Sequence, residues 1–285
     1  MSPTISSALT YGKQALQESD SPALDAQILL CELLGKDRVY LFTHPEEELE
    51  ETVWLNFQQQ IEQAQQGKPV AYIIGKRAFY DRELLVSPAV LIPRPETEIL
   101  VEEAIAFARH LGEINIVDIG SGSGAIAICV KAHCPRATVY AIDVSPEALE
   151  IAQQNADLQE VEIHFHQGDL AEPLSQAGIK VHLLLANLPY IPSKTVLKLA
   201  VSQYEPHLAL DGGIDGLELI DQLLKQCPLV CEDGALILME IGADQGETAL
   251  ALAKRWLKTS QVSLIKDYAG YNRFLRILYN KEIED

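Results

Sequence analysis

The chain has 285 residues, 48% hydrophobic and 22% charged, proportions that exclude a disordered or fibrous protein and leave room for a large domain beside a small one. Its 22 Lys and Arg against 41 Asp and Glu give a net charge of −19, which repels a phosphate backbone at long range and argues against non-specific nucleic-acid binding. No apolar run approaches the length of a membrane span, and the N-terminus MSPTISSALT has neither a basic nor a hydrophobic leader region, so the expectation is a cytoplasmic protein without membrane association.

Residues 1–70 read as a small helical domain. Ser21 and Pro22 suit an N-cap and first helical position, Leu24, Ile28 and Cys31 recur at helical spacing, and Gly35 ends the run. A second helix is expected to open at Pro45, to carry Leu49, Val53, Phe57 and Ile61 on one face and to end near Gly67, with the acidic run at 46–51 on its solvated side. Residues 71–95 change character. The stretch PVAYIIGKRAFYDRELLVSPAVLIPRPETE, rich in β-branched residues, aromatics and prolines, predicts a β-hairpin linker that turns at Asp81 and Arg82. From Pro95 a helix follows, with Glu96 and Glu98 complementing its dipole and Leu100, Ala104 and Phe107 on its apolar face.

The remainder, residues 96–285, alternates strands with helices and predicts a mainly parallel α/β sheet. Strands are expected at about 114–119, 138–143, 161–167, 181–186, 235–240, 262–266 and 272–279. The last two are joined only by YAGYNR, which predicts a hairpin and an antiparallel edge strand.

Candidate chemistry sits at successive strand ends. The first strand runs into Asp118, Gly120, Ser121, Gly122, Ser123 and Gly124, where alternating glycines let the backbone turn sharply and approach a ligand. The spacing is GxGxG rather than the dinucleotide fingerprint, and a purely structural strand-to-helix turn has the same appearance. Asp143, 25 residues after Asp118, ends the second strand, where a carboxylate can accept both hydroxyl protons of a ribose; the bland alternative is a residue preceding the Ser145–Pro146 helix start. With no phosphate-binding Lys in the loop, a nucleoside fits better than a nucleotide. Asp169 and Leu170 end the third strand, where a carboxylate and an adjacent N–H can read an adenine edge while Val144 and Leu170 supply apolar faces. The fourth strand, VHLLLA, ends at Asn187, Leu188, Pro189 and Tyr190. There Pro189 biases Leu188 to an extended conformation and aims the Leu188 carbonyl and the Asn187 side chain at one point.

Five cysteines, Cys31, Cys129, Cys134, Cys227 and Cys231, form no zinc-type spacing and read as free thiols; no metal is expected. His164 and His166, alternating on one strand, read as a surface or packing pair, and no Ser/His/Asp order suggests a hydrolase.

DIGSGSGA, the Asp143 and GDL strand ends and NLPY together resemble a class I S-adenosylmethionine-dependent methyltransferase of the branch that methylates planar nitrogens. DAQILLCELLG, GKPVAYIIGKRAFY, VLIPRPETEILVE, LANLPYIP and YEPHLALDGGIDGL narrow the resemblance to the HemK/PrmC family of protein-(glutamine-N5) methyltransferases, over residues 8–279. The resemblance implies a Rossmann-like seven-stranded sheet and S-adenosyl-L-methionine as cofactor with S-adenosyl-L-homocysteine as product; a monomer is expected. It implies as acceptor the glutamine of the Gly-Gly-Gln loop in a peptide-chain release factor. Its binding positions fall on Asp118, Gly120, Ser121, Gly122, Ser123, Gly124, Asp143, Val144, Asp169, Leu170 and Asn187 for the cofactor. For the acceptor they fall on Asn187, Leu188, Pro189 and Tyr190, with Asn187, Pro189 and Tyr190 as the catalytic positions and Tyr190 packing against the target amide. One departure is Leu188, where the family has proline: the carbonyl is retained but the fixed φ is lost. Another is Gln63-Ala64-Gln65-Gln66, where the family often carries a basic cluster. Three other readings remain: glutamine methylation of a ribosomal protein, methylation of an exocyclic amine in nucleic acid, and a scaffold that binds cofactor without turnover. The helical domain, which carries no cofactor motif, is expected to contact the protein substrate.

Overall fold

A computed structural model describes residues 3–282. Its contacts divide the chain into two compact units, Met1–Lys76 and Arg77–Asp285.

The first unit is helical. Helix α1 (Ile5–Ala15) is capped by Thr4, whose hydroxyl accepts the Ser7 N–H, and α2 (Pro22–Leu34) starts after Ser21 and is stopped by Gly35 in the left-handed region, φ 61°. Asp37 caps α3 (Arg38–Thr43) through the Tyr40 N–H at 2.8 Å. Helix α4 (Glu51–Gln65) brings Phe57 and Ile61 onto Ile5, Leu29, Leu30 and Leu41, a cluster sealed from solvent. This helix begins at Glu51, not at Pro45. The chain before it turns at Pro45 and Glu46 and then pairs with the start of α1, Glu48 bridging Thr4; the Glu47 and Pro45 carbonyls accept the Ile5 and Ser6 N–H groups, each at 2.9 Å, which the first turn of α1 cannot satisfy internally. The short α5 (Val70–Ile74) occupies a stretch that the β-branched pattern assigns to strand; burial of Ala71 and Tyr72 overrides that local preference, and Gly75 at φ 76° ends the turn.

The hairpin consists of β1 (Lys76–Phe79) and β2 (Arg82–Leu85). Its turn lies at Tyr80 and Asp81, one residue earlier than expected, with Tyr80 left-handed at φ 56° and its N–H bonded to the Glu98 carboxylate at 2.9 Å. A single 3-10 turn, Pro95–Thr97, leads into α6 (Glu98–Ala108).

Strands and helices then alternate: β3 (Asn115–Ile119), α7 (Ala125–His133), β4 (Thr138–Asp143), α8 (Pro146–Leu158), β5 (His164–Gln167), α9 (Glu172–Ala177) and β6 (Val181–Ala186). They continue with α10 (Ser193–Val196), α11 (Glu218–Val230), β7 (Cys231–Glu240), α12 (Gly246–Trp256), β8 (Gln261–Lys266) and β9 (Asn272–Leu278). The sheet order is β5-β4-β3-β6-β7-β9-β8. The edge strand β8 pairs antiparallel with β9, and the strand reversed against all the others is β9, inserted between β7 and β8. Apolar side chains cover both faces, α6 and α7 on one and α9, α11 and α12 on the other, which is why β6 is almost wholly apolar. The chain's direction of winding reverses between β3 and β6, and their register sets Ile119 beside Ala186. The two loops that follow, the glycine loop and NLPY, therefore leave the sheet side by side at the switch point where such folds bind ligands. His164 and His166 flank the Tyr140 ring, with centroids 5.3 and 6.0 Å away, and the five cysteines are free thiols.

Candidate active site

The glycine loop turns through three left-handed residues, Gly120, Gly122 and Gly124, at φ 73°, 55° and 79°. Gly124 ends the loop as the N-cap of α7 and abuts Ala152 of α8, where an added Cβ would lie 3.2 Å from the Ala152 Cβ. The loop's own N–H groups are largely engaged. Those of Gly120 and Ser121 bond the Ile142 carbonyl, that of Gly124 bonds Ser121, and that of Gly122 donates to Asp143 Oδ2 at 2.8 Å. A phosphate cradle needs such donors free, so this loop suits a neutral nucleoside better than a nucleotide.

Asp143 lies at the β4 tip with Oδ1 accepting from the Ser145 N–H at 3.0 Å; burial raises its carboxyl above the usual range, opposed by these backbone donors. Asp118 sits one layer below, fully buried. Its Oδ2 accepts from the Ala127 N–H at 3.2 Å, and burial pushes the carboxyl up to about 7. At the β5 tip, Asp169 is exposed while Leu170, left-handed at φ 48°, turns its side chain inward.

At the β6 tip a buried polar chain takes over. Asn187 Nδ2 donates to Thr97 Oγ1 at 3.1 Å, Thr97 Oγ1 donates to Glu240 Oε2 at 2.7 Å, and the Tyr190 hydroxyl donates to Glu240 Oε1 at 3.1 Å. Burial raises the Glu240 carboxyl, with the two hydroxyls working in the opposite direction; burial and then Glu240 raise the Tyr190 phenol. Leu188 is 4% exposed and presses a methyl toward Gly120, where an added Cβ would meet it at 2.9 Å.

These tips surround a cavity of about 460 Å³. Gly120, Ser121, Gly122, Ser123, Asp143 and Val144 line one side, and Asp169, Leu170, Asn187, Leu188 and Pro189 line another. Asp118 and Gly124 support the loop from behind rather than forming the wall. Tyr190 also lies off the wall, against the expectation that its ring packs on the target amide: a buried phenol needs an acceptor, and Glu240 provides it. Residues that the motif reading did not single out complete the enclosure. Arg94 lines it and pairs with the buried Glu205 at 2.5 Å, which also accepts the Ile92 N–H at 3.3 Å, while Pro206, Leu208 and Ala209 close the far side. Both ionic partners lie in the two most distinctive segments, IPRPETE and YEPHLALDGG, but nothing in their spacing tells which residue meets which.

Two family models match the chain, the PrmC N-terminal domain over residues 7–75 and the methyltransferase small domain over residues 97–212. Over nearly their whole lengths, two relatives align: a release factor glutamine methyltransferase of Bacillus subtilis, 36% identical over 98% of this chain and 99% of its own, and one of Vibrio cholerae, 40% identical over all of both. The chain belongs to the release factor glutamine methyltransferase family. Among solved structures, a methyltransferase from Pyrococcus furiosus aligns at a TM-score of 0.52 and 16% identity, over 80% of this chain and 99% of its own. A ribosomal protein L11 methylase from Lactobacillus delbrueckii aligns at 0.50 and 20% identity, over 68% and 83%. At these identities the structures share the fold with this family member. The cavity lies at the β3/β6 switch point of that shared fold.

Proposed function

We propose that this chain transfers a methyl group from S-adenosylmethionine to the side-chain amide nitrogen of the Gly-Gly-Gln glutamine in a peptide-chain release factor. The release factor glutamine methyltransferases of B. subtilis and V. cholerae, alignable end to end, support the acceptor class. The geometry that carries the reading is the Asn187 carboxamide, whose nitrogen is tied back to Thr97, so that its oxygen is left for the cavity.

The site fits the cofactor on two observations. An added Cβ on Gly122 meets nothing within 4 Å, so the glycine opens a cradle in the wall, and Asp143 in the same wall accepts only backbone N–H groups, with no side-chain partner on its carboxylate among the described residues. Asp143 would hold the ribose hydroxyls with the lone pairs its backbone bonds leave over, and Asp169, with Val144 and Leu170, would hold the adenine. When bound, the cofactor supplies an electrophilic methyl group on a sulfonium.

A glutamine amide nitrogen is a weak nucleophile because its lone pair is delocalised into the carbonyl. Asn187 Oδ1 and the Leu188 carbonyl accept its two N–H protons, hold it in line with the methyl carbon and favour the positive charge that grows on nitrogen during transfer. Pro189 shapes the turn that aims the carbonyl. No strong base is required, since the amide proton leaves after nitrogen has become cationic. The helical unit, Met1–Lys76, is assigned to holding the release factor, because all cavity-lining residues lie outside it. Replacing Asn187→Ala is expected to leave S-adenosylmethionine affinity nearly intact by calorimetry and to lower turnover on a full-length release factor by about 10²- to 10³-fold. Unchanged turnover, or methyl found elsewhere than glutamine by peptide mapping, overturns the reading.

A further inference from the structure

A carboxamide has two ends of almost equal size, one accepting and one donating, so Asn187 serves the reaction only in one of its two orientations. With Oδ1 toward the cavity it accepts from the substrate NH2; inverted, it sets one NH2 group against another. Nothing on Asn187 itself selects between them. Thr97 Oγ1 carries one proton and two lone pairs, and its direction is decided by Glu240, which is 2% exposed and receives Thr97 at 2.7 Å and the Tyr190 hydroxyl at 3.1 Å. An ionised carboxylate can only accept. Both hydroxyls must then donate to it, Thr97 is left with lone pairs alone to offer Asn187, and the 3.1 Å contact requires Nδ2.

We infer that Thr97 and Glu240 are positioning residues which select the reactive orientation of the Asn187 carboxamide, Glu240 acting through the direction of the Thr97 hydroxyl proton. This deepens the glutamine-methylation reading and rests on it. The orientation is lost in two ways. Removing the hydroxyl leaves Asn187 free to invert, and protonating Glu240 lets it donate to Thr97, whose own proton can then turn to Asn187 Oδ1. The groups that face Glu240 are Thr97 and Glu96 on the 3-10 turn, Tyr190 after β6 and Arg273 on β9. Burial and Glu96 favour its neutral form, the two hydroxyls and Arg273 its charged form. Turnover should therefore rise with pH as Glu240 ionises.

The test compares Thr97→Val, Thr97→Ser and Glu240→Gln in the full chain, with a full-length release factor as acceptor. Thr97→Val is expected to lower kcat roughly tenfold or more, less than the loss of a direct contact, with KM for the protein and affinity for S-adenosylmethionine little changed. Thr97→Ser should restore kcat, and Glu240→Gln should lower kcat and abolish the acid limb of its pH profile. Equal activity of the Val and Ser variants, a loss carried by KM, or an acid limb that survives in Glu240→Gln overturns the inference. Absence of glutamine methylation by the unmodified chain overturns the acceptor reading instead. The positioning claim then still faces a measurement without acceptor: the Asn187 side-chain NH2 resonance in 15N-labelled protein should exchange slowly with water and lose that protection in Thr97→Val, and an unchanged resonance sinks it.

Discussion

Asp118 holds a charge-bearing group where water cannot reach it. Its carboxyl is pushed up to about 7 by burial, so the folded chain keeps this proton across a range in which the unfolded chain, titrating near 3.8, has released it. The native state then binds more protons than the unfolded state between those values, and stability must fall as pH rises through that window. The expected result is a cofactor-free protein that melts at higher temperature near pH 5 than near pH 8. Self-repulsion at a net charge of −19 pushes the same way, so the discriminating measurement is Asp118→Asn, which should raise the melting temperature at pH 8 and narrow the difference between the two pH values. An unchanged difference assigns the effect to overall charge or to Asp143, Glu205 and Glu240, whose carboxyls burial also raises. Leu188 illustrates another residue-scale solution: where a proline ring would restrict the backbone, a side chain buried beside Gly120 restrains it by packing.

At the scale of elements, the loop after β6 is shaped from below by the DGGIDG segment. The Gly212 N–H bonds the Ile191 carbonyl at 2.9 Å, and Gln245 Nε2 bonds the Tyr190 carbonyl at 2.8 Å. The approach leaves no room for side chains. A Cβ on Gly212 would lie 2.5 Å from the Pro189 carbonyl oxygen, and one on Gly216 2.2 Å from that of Tyr190, both backbone atoms that cannot step aside. Gly216 is also left-handed at φ 80°. Gly216→Ala should cost about 1–3 kcal/mol of stability from overpacking and a larger factor in turnover than in cofactor affinity, because the displaced atoms belong to the loop after β6 that is proposed to hold the acceptor. Denaturant unfolding together with steady-state kinetics checks both; a variant with native turnover shows that the loop tolerates the shift. On the opposite side of the cavity, Asn155 of α8 performs a related task. It accepts the Leu85 N–H at 2.7 Å and donates to the Leu85 and Ser123 carbonyls, joining the hairpin to the glycine loop with one buried side chain.

For the molecule as a whole, the division at Lys76 and Arg77 separates the helical unit from every residue that lines the cavity. With the helical unit holding the acceptor, as proposed above, cofactor binding and acceptor recognition become separable properties. Removing residues 1–75, which keeps β1, should leave S-adenosylmethionine affinity intact in calorimetry and raise KM for a full-length release factor with a much smaller change in kcat at saturation. If the truncated protein methylates the release factor as well as the full chain, the helical unit is not the docking module.

Local pattern was sufficient for much of this protein. Apolar runs and the glycines between them located β4 and β6 to the residue and placed Asp143, Asp169 and Asn187 at or just past strand ends, since strand period and glycine punctuation are properties of neighbouring residues; the sheet order then gathered those ends around one cavity. Whatever depends on partners distant in the chain was decided by the tertiary structure. Residues 45–49 form a turn and a bridge that satisfy the first turn of α1, and β9 slips between β7 and β8 because two antiparallel ladders are available there. Tyr190 turns from the cavity to a carboxylate 50 residues downstream, and Thr97 reaches Asn187 across 90. The sequence determines which groups can donate and accept; only the folded chain decides which of them meet, because a buried polar atom takes the nearest partner that closure of the fold supplies.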